Sequence, residues 1–344
     1  MNAPVTFGIN VNTRVPIIHP DRYSAADVPA LAEEAERLGY DTVWVGDNFF
    51  AKGRMESLTM LGAIASRTSR VRLGTAAFIL PLRHTVWLAI AWASLDQLSR
   101  GRMVLNVCVG GGGAKVAGPQ FAEEFEVAGV SYSHRGDIME EQIRVLRHLW
   151  SGEKRPFSGR FHTIPGIAIA PLPQQRPGPP IWISNNPQLI EGIAPPVVER
   201  MLRRVASTAE GWMTALATAD EYAGLWSRIT GYAGEAGRAP GAIAPGYQMT
   251  LTVGDTHRQA EAEAREFINR YYGTSYADLR ESMWGRDPYG TPDDCAAGLR
   301  AMIDAGARNF ALRFASRDQF GQVQRFTREV LPMLRKTDSS SKMR

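Results

Sequence analysis

Apolar runs and amphipathic stretches alternate along nearly the whole chain. TFGINVN (6–12), DTVWVGD (41–47), VRLGTAAFIL (71–80) and RMVLNVCVGGGG (102–113) read as strands. So do PIWISNN (180–186), EGWMTA (210–215), YQMTLTVGD (247–255) and ARNFALRFA (307–315). Between them, apolar residues recur at helical spacing. Val28, Leu31, Ala32, Ala35 and Leu38 share one face over 27–39, and Gly39 supplies the stop. The same spacing predicts helices over 57–68, 85–99, 137–150, 196–209, 220–237, 256–271, 292–305 and 319–334. Short apolar strands, each followed by a helix, imply a parallel sheet. Eight such units favour a closed (β/α)8 TIM barrel over an open doubly wound sheet.

The pattern gives a single domain over 1–335 and a polar tail, KTDSSSKMR (336–344), expected to be disordered. Two segments exceed the minimal barrel. One is the Pro-, Gly- and Arg-rich stretch 151–179 after the fourth helix; the other is the aromatic-rich stretch 271–291 before the eighth strand. Insertions of this length are often lids or binding loops.

Composition narrows the picture only slightly. Of 344 residues, 44% are hydrophobic and 22% charged, an ordinary globular balance. The net charge of +4 is spread without a Lys/Arg block, so no nucleic-acid partner is expected. The two cysteines, Cys108 and Cys295, suggest neither a disulfide framework nor a Cys-rich metal site. The start MNAPVTFGINV lacks signal-peptide character. The most apolar region, Trp87 to Leu98, is interrupted by Asp96 and Gln97 and too short to span a bilayer. A cytoplasmic protein without a membrane partner is the expectation.

In a barrel, chemistry sits at the C-terminal ends of the strands. There the sequence places Asn10 and Asn12, Asp47 and Asn48, Ala76 and Ala77, Cys108 to Gly111, and Ser184 to Asn186. The set is small, polar and Gly-rich. It offers no paired His/Asp/Glu ligands, so no metal is expected, and no hydrolytic nucleophile presents itself. Bland alternatives stand beside each residue. Gly110–Gly113 suits a tight turn as well as a ligand. Ala76–Ala77 suits close packing, and Cys108 suits a small buried apolar residue. Ser184-Asn185-Asn186 suits a helix cap, which is also an anion site. Trp44, Trp87, Trp92 and Trp182 lie in apolar runs and read as core.

The stretch SRVRLGTAAFILPLRHTVWLAIAWASLDQLSRGRMVLNVCVG (69–110) resembles the core signature of the bacterial luciferase-like monooxygenases. Supporting stretches are AERLGYDTVWVGD (35–47), SHRGDIMEEQIRVLRHLW (133–150), SGRFHTI (158–164) and PPIWIS (179–184). RVASTAEGWM (204–213) and GTPDDCAAGLRAMIDAGARNFALRF (290–314) extend the resemblance over most of 5–335. It implies a (β/α)8 barrel holding reduced flavin mononucleotide (FMN) or, in another branch, a deazaflavin. It also implies a non-prolyl cis peptide at Ala76–Ala77 behind the flavin ring, where small side chains let the ring approach the backbone. Val109, Gly110 and Gly111 would flank the cofactor, and Ser184, Asn185 and Asn186 would hold its phosphate.

The departures are as informative. Many members carry a His beside the acidic residue after the second strand; here Asn48 stands beside Asp47. Asn48 can hydrogen-bond flavin or substrate but cannot shuttle a proton. The deazaflavin branch commonly has Asp-His there, which tilts the expectation toward FMN. Cys108 falls where bacterial luciferase has a reactive cysteine, and Val109 replaces a basic residue that helps hold the phosphate. Asp47, Asn48 and Cys108 are therefore the catalytic candidates. The leading expectation is an FMN-dependent monooxygenase that consumes O2 and a small organic substrate. A deazaflavin-dependent dehydrogenase or reductase and a non-catalytic flavin-binding barrel are the alternatives. The resemblance also implies a homodimer served by a separate flavin reductase. The stretches 151–179 and 271–291 are the lid candidates, with Tyr271, Tyr272, Tyr276 and Trp284 either lining the substrate pocket or packing the loop.

Overall fold

The computed structural model describes residues 3–111, 120–273 and 284–340. Eight parallel strands form its centre: β1 (Thr6–Val11), β2 (Thr42–Val45), β3 (Arg72–Thr75), β4 (Met103–Cys108), β5 (Ile181–Ser184), β6 (Gly211–Ala215), β7 (Ala244–Val253) and β8 (Asn309–Phe314). Each pairs with the next, and β8 pairs with β1, so the sheet closes into a barrel. The expected strands are all present. Their apolar runs are buried on both faces, which is why continuous hydrophobic stretches rather than alternation marked them.

The barrel interior is filled by Trp44, Val104, Trp182, Met213, Ala76 and Ala311. The two indoles lie 5.6 Å apart between ring centroids. Glycines opposite make room for them. A Cβ at Gly74 would lie 2.4 Å from Trp44, and one at Gly211 2.3 Å from Trp182. Trp92 is likewise buried, but Trp87 is 75% exposed, against the expectation of a core role. The helix Thr85–Leu98 turns Leu88, Ala89, Trp92 and Ala93 inward, which leaves Trp87, Ile90 and Leu98 on its outer face.

The expected third strand, 71–80, is broken. Leu73 pairs with Met103, but Phe78 pairs with Val107, so one extra residue lies between the two paired segments. That bulge falls at Ala76–Ala77, whose peptide bond is cis. The last helical stretch is also divided, into Gln319–Glu329 and Leu331–Ser340. The second piece runs five residues beyond 335, since adding a turn to a formed helix costs little.

The two insertions have different fates. Residues 151–179 carry a small hairpin, Phe157–Ser158 with Thr163–Ile164, and lie against the outside of the barrel. Glu141 accepts the backbone N–H groups of Arg160, Phe161 and His162, and Gln175 bonds Asp96 and the carbonyl of Met103 at the start of β4. None of these residues lines the cavity described below, so the lid reading of 151–179 is corrected. The second insertion starts at the end of the helix His257–Tyr272. It returns at Tyr289–Gly290, which pairs with Thr252 and Val253 at the end of β7. Its described end at Tyr289–Gly290 therefore lies at the C-terminal end of β7. No helix among the described residues is long and apolar enough to cross a membrane.

Candidate active site

A cavity of about 670 Å³ opens at the C-terminal ends of the strands, ample for a cofactor-sized ligand. Of the residues singled out from sequence, Asp47, Ala77, Cys108, Val109, Gly110, Gly111, Ser184, Asn185 and Asn186 line it. Ala76 and Asn48 do not. Ala76 packs beside Trp44 in the barrel core. Asn48 is buried, and its Oδ1 accepts a hydrogen bond from Arg54 Nε. Asn12 also turns away, donating to Gln319 Oε1 at 2.7 Å. Tyr272 lines the cavity, whereas Trp284 stacks on Tyr289 and donates to Glu261. Tyr276, Gly112 and Gly113 lie outside the described residues.

Asp47 is a positioning group. One carboxylate oxygen accepts from Arg83 at 2.8 Å and Ser57 Oγ at 2.8 Å; the other accepts the N–H of Ile79 at 3.0 Å. Burial pushes its pKa up despite Arg83. Its lone pairs are committed to holding the segment after Ala77 against β2. Cys108 is a neutral thiol, since burial raises its pKa to about 12. A thiolate nucleophile is therefore absent at physiological pH, and Cys108 serves as an apolar wall beside Ile79 and Phe125.

Gly110 and Gly111 have φ of 70° and 54°. A Cβ at Gly110 would meet Ile79 at 2.5 Å, and one at Gly111 would meet Tyr132 at 2.8 Å. The turn out of β4 requires glycine on both counts. The Ser184-Asn185-Asn186 segment is mostly self-occupied. Ser184 Oγ donates to Asn106, Asn185 Oδ1 accepts from Trp212, and Asn186 Oδ1 accepts from Thr214 and the N–H of Ala215. Pro187 then offers no N–H at all.

Richer anion donors stand next to it. The helix Arg135–Trp150 begins at the cavity, where Ser133, Arg135, Gly136 and Asp137 line the wall. Arg135 stacks on Tyr132 with its guanidinium 3.9 Å from the ring centroid and, among the described residues, bonds only backbone carbonyls. Arg200 and Arg204 reach the same end; Arg204 is neutralised by Glu140 and Asp137. A helix N-terminus with arginines beside it, Arg135 and Arg200, that pair with no carboxylate among the described residues fits a phosphate. Leu189, Ile190, Ile193, Val197 and Met201 form an apolar wall nearby. From sequence, only the helix over 196–209 was read in this stretch; no local signal tied it to a ligand.

Across the barrel, Arg313 of β8, Lys52 and Tyr272 line the opposite wall. Tyr271 lies behind Tyr272, buried, its hydroxyl 3.4 Å from Arg54 Nη2 and its ring under Arg14 and Arg313. Burial opposes its ionisation, but the three guanidinium groups prevail and bring the phenol down to about 8. A depressed acid pKa contributes stability above the unfolded value of about 10 that is lost as pH falls through about 8. An ultraviolet tyrosinate titration should thus show one step near pH 8 that Tyr271→Phe removes. The stability advantage of the parent protein over that variant should grow from pH 8 to pH 10. A first tyrosine step at the ordinary value would refute the assignment.

A family profile described as luciferase-like monooxygenase matches residues 5–309. The chain is 30% identical over 156 residues to the oxygenase component of the flavin-dependent trigonelline monooxygenase of Acinetobacter baylyi, covering 45% of this chain and 41% of that one. The match therefore spans less than half of that relative. It is 23% identical over 339 residues to the F420-dependent glucose-6-phosphate dehydrogenase of Amycolatopsis mediterranei, covering 92% and 96%. In fold it is similar to the crystal structure of monooxygenase RslO1 from Streptomyces bottropensis, with a TM-score of 0.75, 23% identity and coverage of 95% and 99%.

Proposed function

Because the chain belongs to the luciferase-like monooxygenase family, we propose that it is a flavin-dependent monooxygenase that takes reduced FMN and O2 to oxygenate a small organic substrate. Relatives in the family include both flavin-dependent monooxygenases and deazaflavin-dependent dehydrogenases, so the cofactor must be argued from this chain's own residues. The observation that carries the FMN reading is the chemistry of the cavity wall. None of the six histidines lines it. Asn48 stands after β2 with its Oδ1 tied to Arg54. Asp47 is saturated with donors, and the Cys108 thiol is neutral. Hydride transfer from an alcohol needs a base at the reacting oxygen. Asp137, Asp287, Lys52 and Tyr272 line other parts of the cavity, but the ends of β2 and β4 hold no free base, and that end suits oxygen chemistry supplied by the cofactor.

The residues fit FMN. Ala77, Ile79, Cys108 and Val109 offer a flat, mostly apolar face to a ring. Gly110 and Gly111 keep the turn beside it free of side chains. Ser133, Arg135, Arg200 and the start of the helix Arg135–Trp150 suit the phosphate, with Ser184, Asn185 and Asn186 at its flank. Bound reduced flavin supplies the electrons that activate O2. Leu189, Ile190, Ile193 and Val197 keep water from the reaction.

The full-length similarity to a deazaflavin-dependent dehydrogenase favours a second reading, oxygen-independent hydride transfer. An anaerobic titration of the purified chain with reduced FMN, and in parallel with reduced deazaflavin, separates the two. Tight FMN binding followed by oxygen consumption on mixing with air supports the monooxygenase. Selective deazaflavin binding with turnover that ignores oxygen overturns it. Binding of FMN without turnover of any tested substrate would leave a flavin-binding barrel. The family resemblance also suggests a homodimer and a partner reductase, which sedimentation and a coupled reductase assay would test.

A further inference from the structure

Among the described residues, the wall formed by β8, β1 and β2 carries more positive charge than the carboxylates beside it offset. Arg313 is 6% exposed yet lines the cavity. Its Nη1 donates to the Tyr272 hydroxyl at 2.6 Å and its Nη2 to Thr250 Oγ1 at 2.8 Å, while Nε has no partner. Arg14, just after β1 and 8% exposed, has both Nε and Nη1 unpartnered. Lys52 lines the same wall, with Nζ on the carbonyl of Tyr272. Arg54 adds a fourth cation, tied to Asn48 and Tyr271.

The carboxylates around this wall are mostly committed elsewhere. Asp47 holds Arg83. One oxygen of Glu124 takes the N–H groups of Phe49, Phe50 and Ala51. Asp287 is the carboxylate whose charge favours the Arg313 cation among the described residues. Buried guanidinium groups in excess of their counter-charges among the described residues are costly to keep. Burial and mutual repulsion with Arg54 and Arg313 lower the pKa of Arg14, a sign of the same excess.

This wall is not the phosphate end of the cavity. Ser133 and Arg135 follow β4, and Arg200 follows β5. In the closed order of strands, β4 and β5 lie across the barrel from β8 and β1. The cavity thus has two cationic poles with the apolar ring face between them.

We propose that the pole of Arg313, Lys52 and Arg14 anchors the substrate, which is a small molecule bearing an oxyanion: a carboxylate, sulfonate or phosphate. The oxyanion sits against Arg313 and Lys52 where they line the cavity, and Arg14 reinforces the field from behind. Arg54 and the two tyrosines hold the guanidinium groups in place. The inference rests on the reading that the cofactor fills the opposite pole.

Calorimetric titration of the full chain with benzoate, methanesulfonate and inorganic phosphate, with benzamide as the neutral control, tests it. At least one anion should bind and benzamide should not. Arg313→Gln should weaken that anion by about tenfold or more, the loss of a charge-assisted hydrogen bond. Lys52→Gln should weaken it by a smaller factor, and both variants should still bind reduced FMN as the parent does. Equal binding of benzoate and benzamide, no anion binding at all, or unchanged binding in both variants would overturn the proposal. So would competition between anion and FMN with loss of FMN affinity in Arg313→Gln, which would assign this pole to the cofactor's own phosphate. Should Arg313→Gln fail to fold by circular dichroism, the partly exposed Lys52→Gln decides. The anion arm runs without cofactor, so failure of FMN to bind the parent protein would sink the cofactor reading and leave this test standing.

Discussion

Asp47→Ala is expected to destabilise the protein by about 3 kcal/mol, read as a lower urea midpoint at unchanged slope. Breaking a buried ion pair by removing one partner costs about 3–5 kcal/mol, because the other charge is left behind. Arg83 keeps 17% exposure of its side chain, which places the loss at the low end. Burial pushes the Asp47 pKa up despite Arg83, and taking two charges out of water offsets much of a buried pair's attraction. Its removal is nonetheless costly, since Arg83, Ser57 Oγ and the Ile79 N–H lose an acceptor together. Asp47→Asn should cost less. It keeps an acceptor for Ile79 and sheds a charge that is expensive to bury. A loss below about 1 kcal/mol in the alanine variant would mean that the segment after Ala77 is held by packing alone.

That hub also explains what the sequence could reveal. The barrel was legible because most strands are apolar runs and each helix repeats its apolar face. The glycines at 110 and 111 and the alanines at 76 and 77 stood out because small residues at strand ends are unusual. The role of Asp47 was not legible. Its position at the end of β2 suggested chemistry, but its donors come from residues 10 to 36 positions away. Asn48 was misplaced for a similar reason, since its partner Arg54 sits in a loop with no periodic pattern.

Arg313 shows the opposite case. A charged residue inside the run ARNFALRFA was a visible anomaly in a strand otherwise fit for burial. Read only as part of a strand, it gave no hint of the cavity. The stretch 151–179 was misread because Pro and Gly mark a loop but not the end of the barrel it occupies. In a βα unit, chain that follows a helix emerges at the face away from the active site, which is where Gln175 meets the start of β4. Trp87 was misread because hydropathy along a helix does not say which of its apolar residues face outward.

The second large effect is expected at Ala77. Ala77→Phe should lower affinity for reduced FMN by about 100-fold, or about 2.8 kcal/mol, while the protein stays folded. Ala77 is half-buried and lines the cavity, so a larger side chain there projects into open space rather than into the core. That space is the one a flat ring must enter to lie against the backbone beside Ile79, Cys108 and Val109. Overfilling a packed contact costs about 1–3 kcal/mol, and the ring would lose its contact with the wall as well. Ala76 supplies the contrast. It packs with Trp44 and Val104 in the barrel core, so Ala76→Val should lower the melting temperature rather than act on FMN through the cavity wall. Fluorescence titration of reduced FMN, paired with thermal melts of both variants, reads the two effects separately. If Ala77→Phe binds FMN like the parent protein, the ring does not lie against Ala77. The apolar face running from Ala77 to Val109 would then have to serve the substrate, and the cofactor would have to lie toward the wall of Leu189, Ile190 and Val197.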